Sequence, residues 1–252
     1  MNFDLTDDQK AFVQTAREFA DAELAPNAAR WDAEHHFPVE VIRRAGELGF
    51  CGIYSDIDCG GLGLSRLDAA LIFEQLSQGC TATTAFITIH NMCTWMVTRF
   101  GNDIQKAEFG AKLTSGELLA SYCLTETGAG SDAASLKTRA TREGDDYILN
   151  GSKMFISGAG ATDILVVMAR TSDNGARGIS TFIVPADTAG VSFGKNEDKM
   201  GWNAQPTRAI NFENVRIPGR YRIGEEGEGF TFAMKGLDGG RLNIASCSLG
   251  TA

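Results

Sequence analysis

Histidine and proline are scarce in this sequence, at three and five residues, and cations are in deficit: 23 Lys+Arg stand against 32 Asp+Glu, a formal net charge of -9. A surface of that sign repels phosphate backbones and anionic headgroups, which argues against nucleic acid as a partner. The six cysteines, Cys51, Cys59, Cys80, Cys93, Cys123 and Cys247, include no CxxC pair. With so few histidines there is no metal-ligand spacing either, so no metal ligand is assigned. Several of these cysteines lie in apolar stretches and read as buried, reduced thiols, which implies a reducing compartment. No apolar run reaches the roughly 20 residues of a membrane-spanning helix. The stretch Met1–Thr6 carries neither a basic region followed by an apolar run nor an Arg-rich amphipathic leader. The expectation is therefore a soluble intracellular chain, or one whose leader has been left off. The 29 glycines follow no fixed period, which excludes collagen-like and solenoid repeats.

What is present is a helical pattern followed by a strand pattern. Thr6 reads as an N-cap with Gln9 at the capping-box position, and Phe12, Ala16, Phe19, Ala20 and Leu24 form one apolar stripe that Pro26 ends. A second helix has Pro38 in its first turn, carries Val39, Ile42 and Ala45 inward and closes at Gly49. Ser65 and Asp68 open a third, and Thr84 to Phe100 makes a fourth with Ile89, Cys93 and Val97 on one side. Near Leu118 the runs become short and rich in β-branched and aromatic residues. Strands are predicted over 119–124, 147–149, 154–156, 164–168, 179–184 and 209–212. Asn150-Gly151 and Asn174-Gly175 supply the positive φ angles of hairpin turns, and residues 143–146 make a polar tip. Strands at short spacing without intervening helices imply an antiparallel barrel or sandwich and not βαβ units. Beyond a glycine-rich stretch, a helical pattern from Phe230 runs to Ala252 without a cap signal, as the first helix of a truncated domain would. The expected division is a helical domain over 1–118, a β-domain over 119–228 and the start of a second helical domain over 229–252.

The segment Tyr122-Cys123-Leu124-Thr125-Glu126-Thr127-Gly128-Ala129-Gly130-Ser131-Asp132 follows a predicted strand. Gly128, Gly130 and Ala133 have the spacing of a dinucleotide fingerprint, but that fingerprint requires the glycines to open a helix in a βαβ unit. Here another strand follows. The backbone N–H groups of such a turn can still cradle an anion, with Thr125 and Ser131 hydroxyls as further donors for a phosphate or a flavin carbonyl. The competing reading is a tight loop with no ligand.

Residues 122–132 together with Asn150-Gly151-Ser152-Lys153-Met154-Phe155-Ile156-Ser157 resemble the two signature stretches of the acyl-CoA dehydrogenases, in order and at the expected separation. The resemblance covers essentially the whole chain. Ile89-His90-Asn91-Met92-Cys93, Gly201-Trp202-Asn203 and Asn243 to Gly250 look most like the isobutyryl, short branched-chain branch. It implies a multi-domain α and β fold: an N-terminal all-α domain, a middle antiparallel β-barrel and the start of a C-terminal helical bundle. It also implies FAD bound across the β-domain. Tyr122, Cys123, Leu124, Thr125, Glu126, Thr127, Gly128, Ala129, Gly130 and Ser131 would line the flavin and pyrophosphate. Phe155, Ile156 and Ser157 would stand beside the ring, with Ser157 near N5. Ser131, Asp238 and Arg241 would touch the acyl-CoA. Thr127 departs from the family, which usually has Pro there.

The implied reaction desaturates an acyl-CoA between its α and β carbons: a carboxylate takes the α proton and the β hydrogen leaves as hydride to the flavin. Most of the family places that Glu on a late loop beyond Ala252, and others place it just before the Arg matching Arg241, where this chain has Gly240. No catalytic residue is therefore assigned within the chain. Implied partners are an acyl-CoA substrate, electron-transfer flavoprotein as electron acceptor and, at full length, a homotetramer. The implied location is the bacterial cytoplasm, or the mitochondrial matrix after loss of a leader. A non-catalytic FAD- or acyl-CoA-binding chain and an acyl-CoA oxidase stay open as alternatives. Glu126 reads as a turn-stabilising side chain, His90 as a satisfied core histidine, and Trp95 and Trp202 as core packing.

Overall fold

Thr6 caps the first helix, α1 (Asp7–Phe19), in a reciprocal box with Gln9, as the spacing predicts. This computed structural model describes residues 4–252, so the first three residues of the stretch Met1–Thr6 lie outside it. Ala16, Phe19, Ala20 and Leu24 are buried along the predicted stripe. Past Pro26 a helix that the pattern does not announce, α2 (Ala28–Glu34), brings Trp31 into the core. Its only apolar anchor of size is that one tryptophan, which is too little periodicity to read. Then follow α3 (Val39–Glu47) after Pro38, α4 (Arg66–Gly79) opened by a Ser65–Asp68 box, and α5 (Thr81–Phe100), which begins three residues ahead of the predicted Thr84. Short helices α6 (Asp103–Gln105) and α7 (Ala111–Thr114) lead to the sheet.

The strands are β1 (Ala120–Cys123), β2 (Arg139–Glu143), β3 (Asp146–Ser157), β4 (Ile164–Arg170), β5 (Ile179–Pro185), β6 (Val191–Asn196), β7 (Thr207–Pro218) and β8 (Arg222–Ile223). Their order is β6-β7-β3-β2-β4-β5-β8, with β1 paired to β4. The pairings are antiparallel except for β1–β4 and a single β2–β4 bridge. The middle of the chain is thus the mostly antiparallel β-domain that the run lengths imply; among the described residues no pairing joins β6 to β8. Helix α8 (Gly229–Thr251) lies on α4 and α5. Its approach to α4 depends on Gly250, where a Cβ would stand 2.0 Å from the Glu74 carbonyl oxygen.

Two expectations are corrected. Asn150-Gly151 is not a hairpin turn, because β3 runs straight through it and pairs with β7 on both sides. The positive φ is real, at 143° for Gly151. It serves instead a bulge in which Asn150 accepts from the Asn214 N–H at 2.9 Å. Trp202 is not core: it is 41% exposed on the β6–β7 loop, where Asn203 donates through its N–H and side-chain amide to Asp32 of α2 at 2.7 and 3.2 Å. Trp95, by contrast, packs edge-on against Phe100 at 5.2 Å. All six cysteines are buried and unpaired. Among the described residues no helix is long and apolar enough to cross a membrane.

Candidate cofactor site

Strand β1 delivers the chain to the glycine turn. It is held parallel to β4 in the register Ala120↔Ile164 to Cys123↔Val167. Tyr122 ties it to α8 by donating its hydroxyl to the Ala233 carbonyl at 3.2 Å. Beyond Leu124, Glu126 and Ala129 exchange both backbone hydrogen bonds, at 3.1 and 3.0 Å, and pinch the turn closed. Cys123, Leu124, Glu126 and Ala129 turn their side chains into the core, so only their main chain is available to a ligand. Thr127, Gly128, Gly130 and Ser131 are exposed, and Thr125 is half-buried. A Cβ at Gly128 or Gly130 would meet nothing within 4 Å, so open space lies over this backbone. The N–H groups of Thr127, Gly130 and Ser131 have no acceptor among the described residues. Unpaired N–H groups on an open glycine turn are a ready donor set for phosphate or carbonyl oxygens.

Strand β3 supplies the other side. Tyr147, Leu149 and Lys153 alternate inward, and simple alternation would bury Phe155 next. It does not, because the register against β7 shifts between Lys153↔Ile210 and Ile156↔Arg208, leaving one extra residue on β3. The bulge buries Ile156 and turns Phe155 out, 58% exposed, with φ at 57°. That left-handed conformation is strained for an aromatic residue, and such strain clusters at binding sites. The Met154 N–H donates to the Thr125 carbonyl at 2.8 Å, which sets the two segments side by side. Ser157 is half-buried, and its carbonyl accepts from the Ser121 hydroxyl at 2.7 Å. Phe155→Gly is expected to leave stability within about 1 kcal/mol of wild type, since relief of the positive φ offsets the lost side chain and the added chain freedom. Thermal unfolding checks this.

Beneath the turn lies an ion pair. The fully buried Lys153 ammonium donates to Glu126 Oε1 at 2.8 Å and to the Leu124 carbonyl at 3.1 Å. The Glu126 carboxylate also accepts from the N–H groups of Lys137 and Thr138, at 2.6 and 3.0 Å. Burial alone would raise the Glu126 carboxyl, but the Lys153 charge and these hydrogen bonds outweigh it and hold it below its ordinary value. Glu126 is thus a turn-stabilising group, as its place in the turn suggests.

The two charged residues implied for substrate contact, Asp238 and Arg241, are exposed on α8 and stand 3.6 Å apart. Arg241 borders an apolar cavity of about 370 Å³ between α5 and α8, lined with Thr88, Ile89, Met92, Leu237 and Gly240. No carboxylate lines it. Both ring nitrogens of His90 are taken by the main chain. Its Nδ1 accepts from the Ala120 N–H at 3.1 Å and its Nε2 donates to the Leu113 carbonyl at 2.9 Å, so the neutral ring bridges α5, α7 and β1. Burial pushes its pKa down from 6.5 to about 4, against smaller raising influences from the Leu113 bond and Asp163. A lowered folded-state value means that this stabilisation is full above the unfolded value of 6.5 and is lost as pH falls toward 4, about 3 kcal/mol in all. Urea midpoints measured across that window should decline, and His90→Gln should flatten the decline.

Sequence reasoning missed Lys153. A signal was available, since Lys153 continues the inward parity of Tyr147 and Leu149, and a lysine on a buried parity needs an anion. The bulge that re-aims Phe155 left no trace in composition.

Two family models match the chain: the acyl-CoA dehydrogenase N-terminal domain over residues 6–117 and the acyl-CoA dehydrogenase middle domain over residues 121–215. A mitochondrial isobutyryl-CoA dehydrogenase of Bos taurus is 56% identical over 98% of the chain, which spans 60% of that relative's length. The butyryl-CoA dehydrogenase structure of Megasphaera elsdenii superposes with a TM-score of 0.94 at 37% identity, covering 99% of this chain and 67% of that one. The structure of PigA with FAD and proline superposes with a TM-score of 0.96 at 29% identity, over 100% of this chain and 67% of that one.

Proposed function

Since the chain belongs to the acyl-CoA dehydrogenase family, we propose that its glycine turn and the β3 bulge hold FAD for the α,β-dehydrogenation of a short branched acyl-CoA of isobutyryl type. One observation carries the reading: the Met154–Thr125 hydrogen bond brings an open turn with unpaired N–H groups alongside an outward-turned aromatic ring. The PigA–FAD relative supports the cofactor and the bovine enzyme supports the acyl group. The fit is good on this chain's own terms, because the space over Gly128 and Gly130 is open and the donors around it are free.

In this reading the N–H groups of Thr127, Gly130 and Ser131, with the hydroxyls of Thr125 and Ser131, would bind the phosphate and carbonyl oxygens of FAD. Phe155 would cover the ring, with Ser157 at its edge. When bound, FAD supplies the hydride acceptor. The chain's own work is placement and exclusion of water. The apolar α5–α8 cavity would seat the acyl chain, and Ser131, Asp238 and Arg241 would anchor the coenzyme A portion. The proton acceptor does not come from the cavity lining, which has no carboxylate. The division at 1–118, 119–228 and 229–252, an electron-transfer flavoprotein as electron acceptor, a homotetramer and a bacterial cytoplasmic or mitochondrial matrix location belong to the same proposal.

A cavity lining without a carboxylate favours a second reading in which these residues bind FAD or acyl-CoA without turning it over. Purified chain should be yellow, and isobutyryl-CoA added anaerobically should bleach it if the chain is competent. A bound flavin that resists reduction supports the second reading. A colourless chain that takes up neither added FAD nor isobutyryl-CoA overturns both.

A further inference from the structure

The buried Lys153–Glu126 pair has no chemical part in the function above, and buried ion pairs are poor stabilisers compared with apolar packing of the same volume. Its location is what distinguishes it. Lys153 is the last residue of β3 in regular register before the bulge, and Ile156 is the first after it. Both are buried, at 1% and 2% exposure. Between these two fixed points the chain has one residue too many, and Phe155 takes up the excess at φ 57°. A strained residue persists only where its surroundings over-determine it. On the other side, the same ammonium holds the Leu124 carbonyl and Glu126, the two residues flanking Thr125. Glu126 in turn holds the N–H groups of Lys137 and Thr138, so the chain leaving the turn is anchored as well. One buried cation therefore fixes three segments at once.

We propose that the Lys153–Glu126 pair is the positioning device of the flavin site: it sets the glycine turn against β3 and keeps Phe155 in its outward, left-handed conformation. This rests on the flavin reading above for its purpose, though not for its geometry. The pair is chosen over an apolar pair because a charge that must meet both the Glu126 carboxylate and the Leu124 carbonyl tolerates one register, whereas apolar side chains tolerate a slip. Neither residue touches the reacting atoms in this account; both act through Thr125 and Phe155.

The test uses the whole chain as Glu126→Gln/Lys153→Met, which removes both charges without leaving either buried alone. The reporter is the Met154 amide, whose bond to the Thr125 carbonyl joins the two segments. Hydrogen exchange at Met154 should quicken by about 10-fold or more while Val166 in β4 exchanges as in wild type. FAD should bind about 10-fold more weakly, and the circular dichroism of the bound flavin should change. A folded double variant with wild-type Met154 protection overturns the proposal. Should the double variant fail to fold, Glu126→Asp, which keeps both charges and shortens the reach to Lys153, gives the same readout, and unchanged Met154 protection there also overturns it. If the wild-type chain takes up no flavin, the proposed function fails, while the Met154 exchange still decides the positioning role.

Discussion

Lys153→Met is expected to destabilise the chain by about 3–5 kcal/mol, because it strands the Glu126 carboxylate in the interior with only two backbone N–H groups for company. The double exchange with Glu126→Gln should recover much of that loss. The pH dependence gives a sharper signature. In the wild type the Glu126 carboxyl lies below its ordinary 4.5, so its contribution is present above that value and fades as pH falls through the lowered one. Without the ammonium, burial dominates and raises the carboxyl. The sign then reverses: the variant should be best folded in mild acid and lose stability as pH rises through the raised value. Chemical denaturation at several pH values separates the cases, and a variant whose stability climbs with pH as the wild type's does would count against an uncompensated charge.

Gly151→Ala should cost about 3 kcal/mol, out of proportion to one methyl group. The added Cβ would stand 2.6 Å from the Thr138 hydroxyl and 2.7 Å from its Cα, and φ is 143° in a region that side chains rarely adopt. Backbone cannot move aside easily here, since the Thr138 N–H is bound to Glu126. The damage should therefore reach the turn. Weakened FAD uptake together with a lowered melting temperature is the expected outcome, and an alanine variant with wild-type values of both would show that β3 and the 137–138 segment are less tightly locked than their hydrogen bonds imply.

Much of this molecule was legible from its letters, and the reasons are local. Capping residues at Thr6 and Ser65, the stripe from Ala16 to Leu24, and the β-branched runs of β4 and β5 each state their structure within a few residues. The site was legible differently. Its two segments stood out by family resemblance, and free N–H groups over open space suit a turn of that composition. What stayed hidden depends on partners distant in sequence. Asn150-Gly151 has the letters of a hairpin, yet β7 pairs across it and keeps the strand running. Trp202 has the letters of a core residue, yet its neighbour Asn203 is pinned to Asp32, which holds the loop at the surface. The outward turn of Phe155 depends on a register shift that no window of the sequence contains.

The parallel pairing of β1 with β4 has a kinetic side. Ala120 meets Ile164 only after the intervening chain, including β2 and all of β3, has closed a loop on itself. Closing so long a loop costs entropy before any contact repays it. The short strand that presents the glycine turn should thus be recruited late, onto a β4–β5 hairpin already in place. During refolding, protection of the Tyr122 and Cys123 amides should trail that of β4 and β5, so the ability to take up a ligand at the turn would be among the last properties the chain regains.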